Sequence, residues 1–370
     1  MEHISPMQTR DFLWQMCMAN GTLDFEKFRN YECVKQQQKL VAEYGKYLND
    51  PMNQEVIDYW AEAGVKKFYY PEDLDSCKDI HDSHVYSILG PINPEEGKKY
   101  PVVYFSHGGG AIYFDTEMYG LAENIQKDPF YLVCPNIYGS KEFDRIIDAM
   151  MANGFPIDES RIYAMGFSGG SGSTADVAIG SPKRVAGVAL IPGSNAINQV
   201  HMDHLSEDFD KYPEMSVATI FVGGMADGGD HWPLVDRISF NNFNAWMDQV
   251  CKVTDLAPIT KELSDELIAT TNDNIEKFFG LHFHHTYMEE IDGLYVYVAD
   301  NMNADGTAGA RFVSIENYPH GVFPIFFAIA WAYLSKFKKN PETFKSECKV
   351  NKIDFRTWRS VDGEELEHGF

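Results

Sequence analysis

Positive charge is what this 370-residue sequence has least of. Lys and Arg together number 31 against 55 Asp and Glu, a formal net charge of −24, and the pI is near 4.8. Phosphate binding needs a cationic surface, so this balance argues against DNA, RNA or an anionic membrane as the main partner. Long apolar runs are missing as well. The longest, Gly321 to Leu334, is about 14 residues and contains Pro324, against the roughly 20 that a membrane-spanning helix requires. Residues Met1 to Pro6 show no cationic stretch leading into an apolar one, so no secretory signal is read. The six cysteines (Cys17, Cys33, Cys77, Cys134, Cys251 and Cys348) form no CxxC pair. They are expected to be reduced and mostly packed, which suits a cytoplasmic protein. Internal repeats and low-complexity tracts are absent, and no GK[ST] or GxGxxG motif marks a nucleotide-binding loop. What remains is ordinary globular composition, 44% hydrophobic and 23% charged, long enough for one large domain or two smaller ones at roughly 150 residues each.

Residues 1–64 read as helical, with helix formers and mixed three- and four-residue apolar spacing around Phe25 and from Val34 to Leu48. No chemistry is evident there, and the stretch is expected to be a packing or dimerising appendage. From about Lys66 the texture changes. Strands are expected at Val65–Tyr70, His84–Leu89, Pro101–Ser106, Tyr131–Cys134, Arg161–Met165, Val185–Ile191 and Val217–Val222. Between the later ones lie helices at Glu117–Gln126, Lys141–Met151 and Gly172–Ile179. Such alternation predicts an α/β chain with a doubly wound, mainly parallel sheet. Residues 231–285 read as a helical insertion, strand texture returns at Leu294–Val298 and Arg311–Ile315, and Val322–Phe337 is a strongly apolar helix. Residues 346–370 form a polar tail.

The sharpest chemical signal is Gly166-Phe167-Ser168-Gly169-Gly170, between an expected strand and an expected helix. This is the setting of a G-x-S-x-G nucleophile elbow, in which a strained turn lifts the serine above the sheet edge and glycines avoid backbone collisions. A second signal, Ser106-His107-Gly108-Gly109-Gly110, follows the Pro101 strand. Backbone N–H groups of Gly108, Gly109 and Gly110 can approach an oxygen there unobstructed, with Gly169 as a further donor, as in an oxyanion-hole loop. His107 is expected to order the loop rather than act as base.

A serine hydroxyl needs a base, and the base an orienting carboxylate. The Val217 strand runs into Gly223-Gly224-Met225-Ala226-Asp227-Gly228-Gly229-Asp230, where position favours Asp227 and Asp230 stands as a rival. His320, in Tyr318-Pro319-His320-Gly321, sits after a late strand and before the last helix, where the base belongs. His282, His284 and His285, with His282 and His284 on one face of a strand, and His201 with His204, lack carboxylates at ligand spacing, so no metal site is expected.

These residues carry a resemblance. The chain is similar to the α/β-hydrolases, and most similar to the esterase branch that includes poly(3-hydroxybutyrate) depolymerase-like and feruloyl-esterase-like proteins. The resemblance spans roughly Val85 to Phe337. It rests on Ile157-Asp-Glu-Ser-Arg-Ile-Tyr-Ala-Met-Gly-Phe-Ser-Gly-Gly, on Gly224-Met-Ala-Asp227 with the later Ala245-Trp246 and Cys251, and on Tyr318-Pro-His320-Gly followed by Ala328–Leu334. It favours Asp227 over Asp230. The His-Gly-Gly-Gly loop is closer to that of hormone-sensitive-lipase-like esterases, and residues 1–64 and the insertion after Asp230 do not match the branch's core.

The resemblance implies an α/β-hydrolase fold over residues 65–345 and a serine carboxylesterase with Ser168, Asp227 and His320 as triad. A small ester (feruloyl, aryl, acetyl or hydroxyacid) would be its substrate, with no cofactor and no metal. Residues 231–285 become a candidate lid. Phe167 and Trp232 are expected to contact substrate, with Phe240, Phe243 and Trp246 as either acyl wall or packing within the lid. A homo-oligomer through the N-terminal helices is expected. A prolyl-oligopeptidase-like serine peptidase and a non-catalytic binding protein of the same fold are the alternatives. No propeller-length stretch precedes the hydrolase part, which counts against the first, and no triad member is missing, which counts against the second.

Overall fold

Strand Tyr100–Ser106 is buried along its whole length, and its side chains divide between two cores. Val103 and Phe105 pack in one apolar cluster, Val102 and Tyr104 in another. A period of two on a strand covered on both faces produces this division. The computed structural model describes residues 19–47, 50, 52–70, 84–120, 122–191, 197–228, 240–256, 259–291, 293–348, 353–354 and 359–360.

In chain order the main elements are helices α1 (Phe25–Phe28), α2 (Glu32–Tyr44) and α3 (Gln54–Glu62), then strands β1 (Val65–Tyr70), β2 (Tyr86–Pro91), β3 (Tyr100–Ser106) and β4 (Tyr131–Pro135). Next come α4 (Ser140–Ala152), β5 (Ile157–Phe167), α5 (Gly169–Gly180), β6 (Gly187–Ile191) and β7 (Ala218–Gly224). The last are α6 (Phe240–Trp246), α7 (Lys261–Ile268), β8 (His285–Ile291), β9 (Leu294–Met302), β10 (Ala308–Ile315) and α8 (Pro324–Leu334). One ten-stranded sheet has the order β1-β2-β4-β3-β5-β6-β7-β10-β9-β8. Strand β2 runs antiparallel to both neighbours, whereas β4, β3, β5, β6, β7 and β10 are parallel. This is a doubly wound α/β fold with a mainly parallel sheet, as the alternation of strands and helices predicts.

Adjacent strands β3 and β5 send the chain to opposite faces. After β3, Ile112, Tyr113 and Phe114 join the first core; after β5, Ala175, Val177 and Ile179 of α5 join the second. A crevice opens at the carboxyl ends of such a strand pair, and ligands bind there. The Gly108–Gly110 loop and Ser168 stand on its two sides.

The N-terminal helices pack into the molecule: Phe28, Val34, Leu40, Val56 and Trp60 belong to the same core as α8. The structure corrects three readings. Part of the expected lid packs on the sheet. Phe243, Trp246, Met247, Val250 and Cys251 are buried in the second core, with the Phe243 ring 5.9 Å from Phe221 and 5.6 Å from Phe312. Strand β8 begins only at His285, so His282 and His284 precede it rather than sharing one face of a strand. Helix α5 starts at Gly169, one residue after the serine, not at Gly172.

The Asp-x-x-Arg segment before the elbow strand has a structural role. Asp158 accepts from Arg161 Nε and Ser160 Oγ, both at 2.6 Å. Burial pushes the Asp158 carboxyl upward, but these bonds outweigh it and hold the pKa below the ordinary 3.8. A depressed carboxylate stabilises above its unfolded pKa, and that contribution fades as pH falls through the folded one. Asp158→Ala is therefore expected to lower the melting temperature at pH 7, with the gap from wild type closing below pH 3.8.

Candidate active site

The elbow's glycines are set by contact. A Cβ at Gly166 would lie 2.1 Å from Gly170 O and 2.3 Å from Thr174 Oγ1. A Cβ at Gly170 would lie 2.1 Å from Ser106 O and 2.5 Å from His107 O. Only glycine lets α5 begin this close to β3. The opposing atoms are mainly backbone and cannot rotate away, so Gly170→Ala is expected to cost about 2–3 kcal/mol in denaturant unfolding, as overpacking does. Between them Ser168 holds φ 54° and ψ −117°, a conformation that non-glycine residues rarely adopt. Its N–H donates to Ile191 O at 2.8 Å, which ties the turn to β6 and leaves Ser168 half-buried.

Three stretches far apart in sequence meet here. His320 Nε2 lies 3.0 Å from Ser168 Oγ, and His320 Nδ1 lies 2.9 Å from Asp227 Oδ2. Asp227 is fully buried and His320 is 2% exposed, so the imidazole–carboxylate bond is shielded from water and the other imidazole nitrogen faces the serine. Asp227 follows β7 at a Gly-rich turn. A Cβ at Gly224 would fall 2.2 Å from Tyr318 O, so the glycine lets the acid loop and the histidine loop touch. Asp227 meets the imidazole; its rival Asp230, with His231 and Trp232, lies outside the described residues.

The glycine loop divides its work. Gly108 is buried beneath Phe167, whose ring would be 2.7 Å from a Cβ there, and the Tyr119 hydroxyl engages its backbone. Gly110 has φ 78°, a left-handed turn that glycine takes at no steric cost. Gly109 is exposed, and its N lies 3.7 Å from the Cβ position of Gly169. The Gly169 N–H opens α5, where no carbonyl of the helix can reach it. The Gly109 and Gly169 amides thus stand together beside the serine, an arrangement able to stabilise a developing negative oxygen. His107 is spent on the loop, as read from the sequence: Nδ1 lies 2.8 Å from Gly108 O and Nε2 3.1 Å from Asn136 O.

Phe167 is buried, its ring 5.1 Å from the His320 imidazole at 37°, so it braces the base from below. Tyr138 went unread in the sequence. Its hydroxyl lies 4.0 Å from the Gly169 Cβ position, and its ring packs edge-on to His107 at 4.8 Å. No local motif marks it.

No protein-family model matches the chain, and no curated protein does. Solved structures share limited similarity with it. A thermostable esterase is 17% identical with a TM-score of 0.33, the match covering 54% of this chain and 53% of that one. An S-formylglutathione hydrolase from Staphylococcus aureus is 14% identical with a TM-score of 0.34, covering 50% and 85%. An acylaminoacyl peptidase from Pyrococcus horikoshii is 15% identical with a TM-score of 0.33, covering 50% and 36%. This chain thus spans about half the length of the esterase.

Proposed function

We propose that this protein is a serine carboxylesterase that works through an acyl-enzyme on Ser168. What supports the reading is the hydrogen-bonded line from Ser168 Oγ through His320 to Asp227, at 3.0 and 2.9 Å. In this reading His320 Nε2 takes the Ser168 proton as Oγ attacks the ester carbonyl. The resulting oxyanion accepts from the N–H groups of Gly109 and Gly169, each typically worth ~3 kcal/mol. Asp227 holds the Nδ1–H tautomer and stabilises the imidazolium. His320 then returns the proton to the departing alkoxide, and the alcohol leaves. Water repeats the sequence on the acyl-enzyme, with His320 as base and then acid, releasing the carboxylic acid. These steps call on side chains and backbone amides alone. Small esters of acetyl, hydroxyacid, aryl or feruloyl type are the proposed substrates.

Turnover of acetyl, butyryl, feruloyl and hydroxyacid esters, measured beside peptide amides, tests the reading. Ester hydrolysis that disappears in Ser168→Ala is expected. Hydrolysis of the peptides alone would assign a peptidase, and turnover of neither would assign a binding protein.

A further inference from the structure

We propose that residues 19–37 clamp the two loops that carry the acid and the base, with Asn20 and Asn317 as positioning residues. The proposal rests on the triad reading above.

The acid loop is rich in glycine and so conformationally permissive; something outside it must fix its course. Part of that is the histidine loop, since Met225 N donates to Ile315 O and Ala226 N to Tyr318 O, both at 2.9 Å. The N-terminal segment supplies a third layer. Ala19 bridges Asp227 in antiparallel fashion, and Asn20 N donates to Ala226 O at 2.8 Å. Asn20 Nδ2 donates to Met225 O at 2.9 Å, while its Oδ1 accepts from Thr22 N at 2.9 Å, which fixes the amide's orientation.

Both ends of the histidine loop are gripped as well. Asp24 N donates to Asn317 Oδ1 at 2.6 Å, and Asn317 Nδ2 donates back to Asp24 O at 2.9 Å. Asn317 has φ 55°, a turn asparagine tolerates better than most residues. Two residues past His320, on its far side, Gln37 Nε2 donates to Val322 O at 2.7 Å. Cys33 Sγ is hydrogen-bonded to Tyr318 OH, and Tyr31 stacks on the Tyr318 ring at 5.7 Å. His320 thus sits between two anchored points, and the N-terminal segment that anchors them also bridges its carboxylate partner through Ala19. The apolar contacts of this segment with α8 add stability, whereas its hydrogen bonds to 225–227 and 315–322 bear on the distance between Asp227 and His320.

The test uses the full chain. Asn20→Ala removes the amide bond to the acid loop. Asn317→Gly keeps the left-handed turn and removes both bonds to Asp24. Each is expected to lower kcat on a small ester about tenfold or more with KM within about twofold of wild type, since small misplacements of catalytic groups carry penalties of this order. The far-downfield proton NMR signal of the His320 Nδ1–H bonded to Asp227 should broaden or vanish in both variants. Asn317→Asp, which keeps an acceptor for Asp24 N–H, should recover part of the rate. Unchanged kcat and an unchanged downfield signal in the folded variants would overturn the clamp, as would kcat and KM falling in step with thermal stability. If one variant does not fold, the other decides. Turnover persisting in Ser168→Ala would instead overturn the triad reading beneath it.

Discussion

Ser168→Ala is expected to reduce kcat by about 10⁴-fold or more while leaving the fold intact. Removing the nucleophile of a serine–histidine–aspartate unit costs about as much as removing the unit, because the three act together and their losses do not add. The residual rate would come from the amides of Gly109 and Gly169 and from substrate binding. His320→Ala should therefore lie close to Ser168→Ala, and the double variant should be little worse than either. Ser168→Gly offers a control that separates strain from chemistry. The serine's φ of 54° and ψ of −117° store backbone strain of about 1–3 kcal/mol, which glycine does not incur. That variant should be inactive and yet melt higher than wild type, on the order of 2 °C. Strain held at a catalytic position by the surrounding structure behaves this way; an ordinary surface turn would not.

Breaking the buried Lys67–Glu117 pair one side at a time is expected to cost about 3–5 kcal/mol of stability. Lys67 Nζ lies 2.6 Å from Glu117 Oε2, with side-chain exposures of 0% and 1%. Ser87 Oγ donates to the other carboxylate oxygen at 2.6 Å. The pair has a location that matters. Glu117 ends the short helical turn Tyr113–Glu117 that follows the glycine loop, whereas Lys67 and Ser87 stand on β1 and β2. The ion pair pins the exit of that loop to the sheet. Burial pushes the Glu117 carboxyl pKa up, and Lys67 and Ser87 only partly offset this. Lys67→Met leaves an unpaired carboxyl in the core, and Glu117→Leu leaves an unpaired ammonium; each should shift the urea midpoint strongly. The double variant, with both charges replaced by apolar groups of similar size, should recover most of the loss, because desolvation of an ion pair consumes much of its attraction. If the singles were as mild as the double, the pair would be dispensable.

What the sequence made legible follows from how local each signal is. Gly166, Ser168 and Gly170 are readable because a strand-to-helix turn imposes its steric demands within five residues. Asp227 and His320 are readable because each follows its strand end closely in the chain. The partition of the sheet into two cores is readable in the unbroken apolar run of β3. The role of residues 19–37 is not, because Asn20 acts on Met225 and Asn317 on Asp24, and no period or motif encodes contacts across some two hundred residues or more. The insertion misled for a related reason. Phe243 and Trp246 have the aromatic texture of a pocket wall, but the same residues fill a helix packed on β7 and β10, and only the sheet order tells the two apart. Strand β8 was placed too early because its burial alternates weakly at the sheet edge, where packing constrains the sequence least.

The most direct measurement is covalent. A fluorophosphonate reacts with a serine only where a base removes the hydroxyl proton and nearby donors hold the phosphoryl oxygen. Oγ bonds to phosphorus, fluoride leaves, and the adduct survives digestion for mass spectrometry. The account predicts a single adduct on the peptide bearing Ser168, formed by the wild type and lost in His320→Ala. Labelling elsewhere with Ser168 unmodified, or undiminished labelling of Ser168 in His320→Ala, would contradict it.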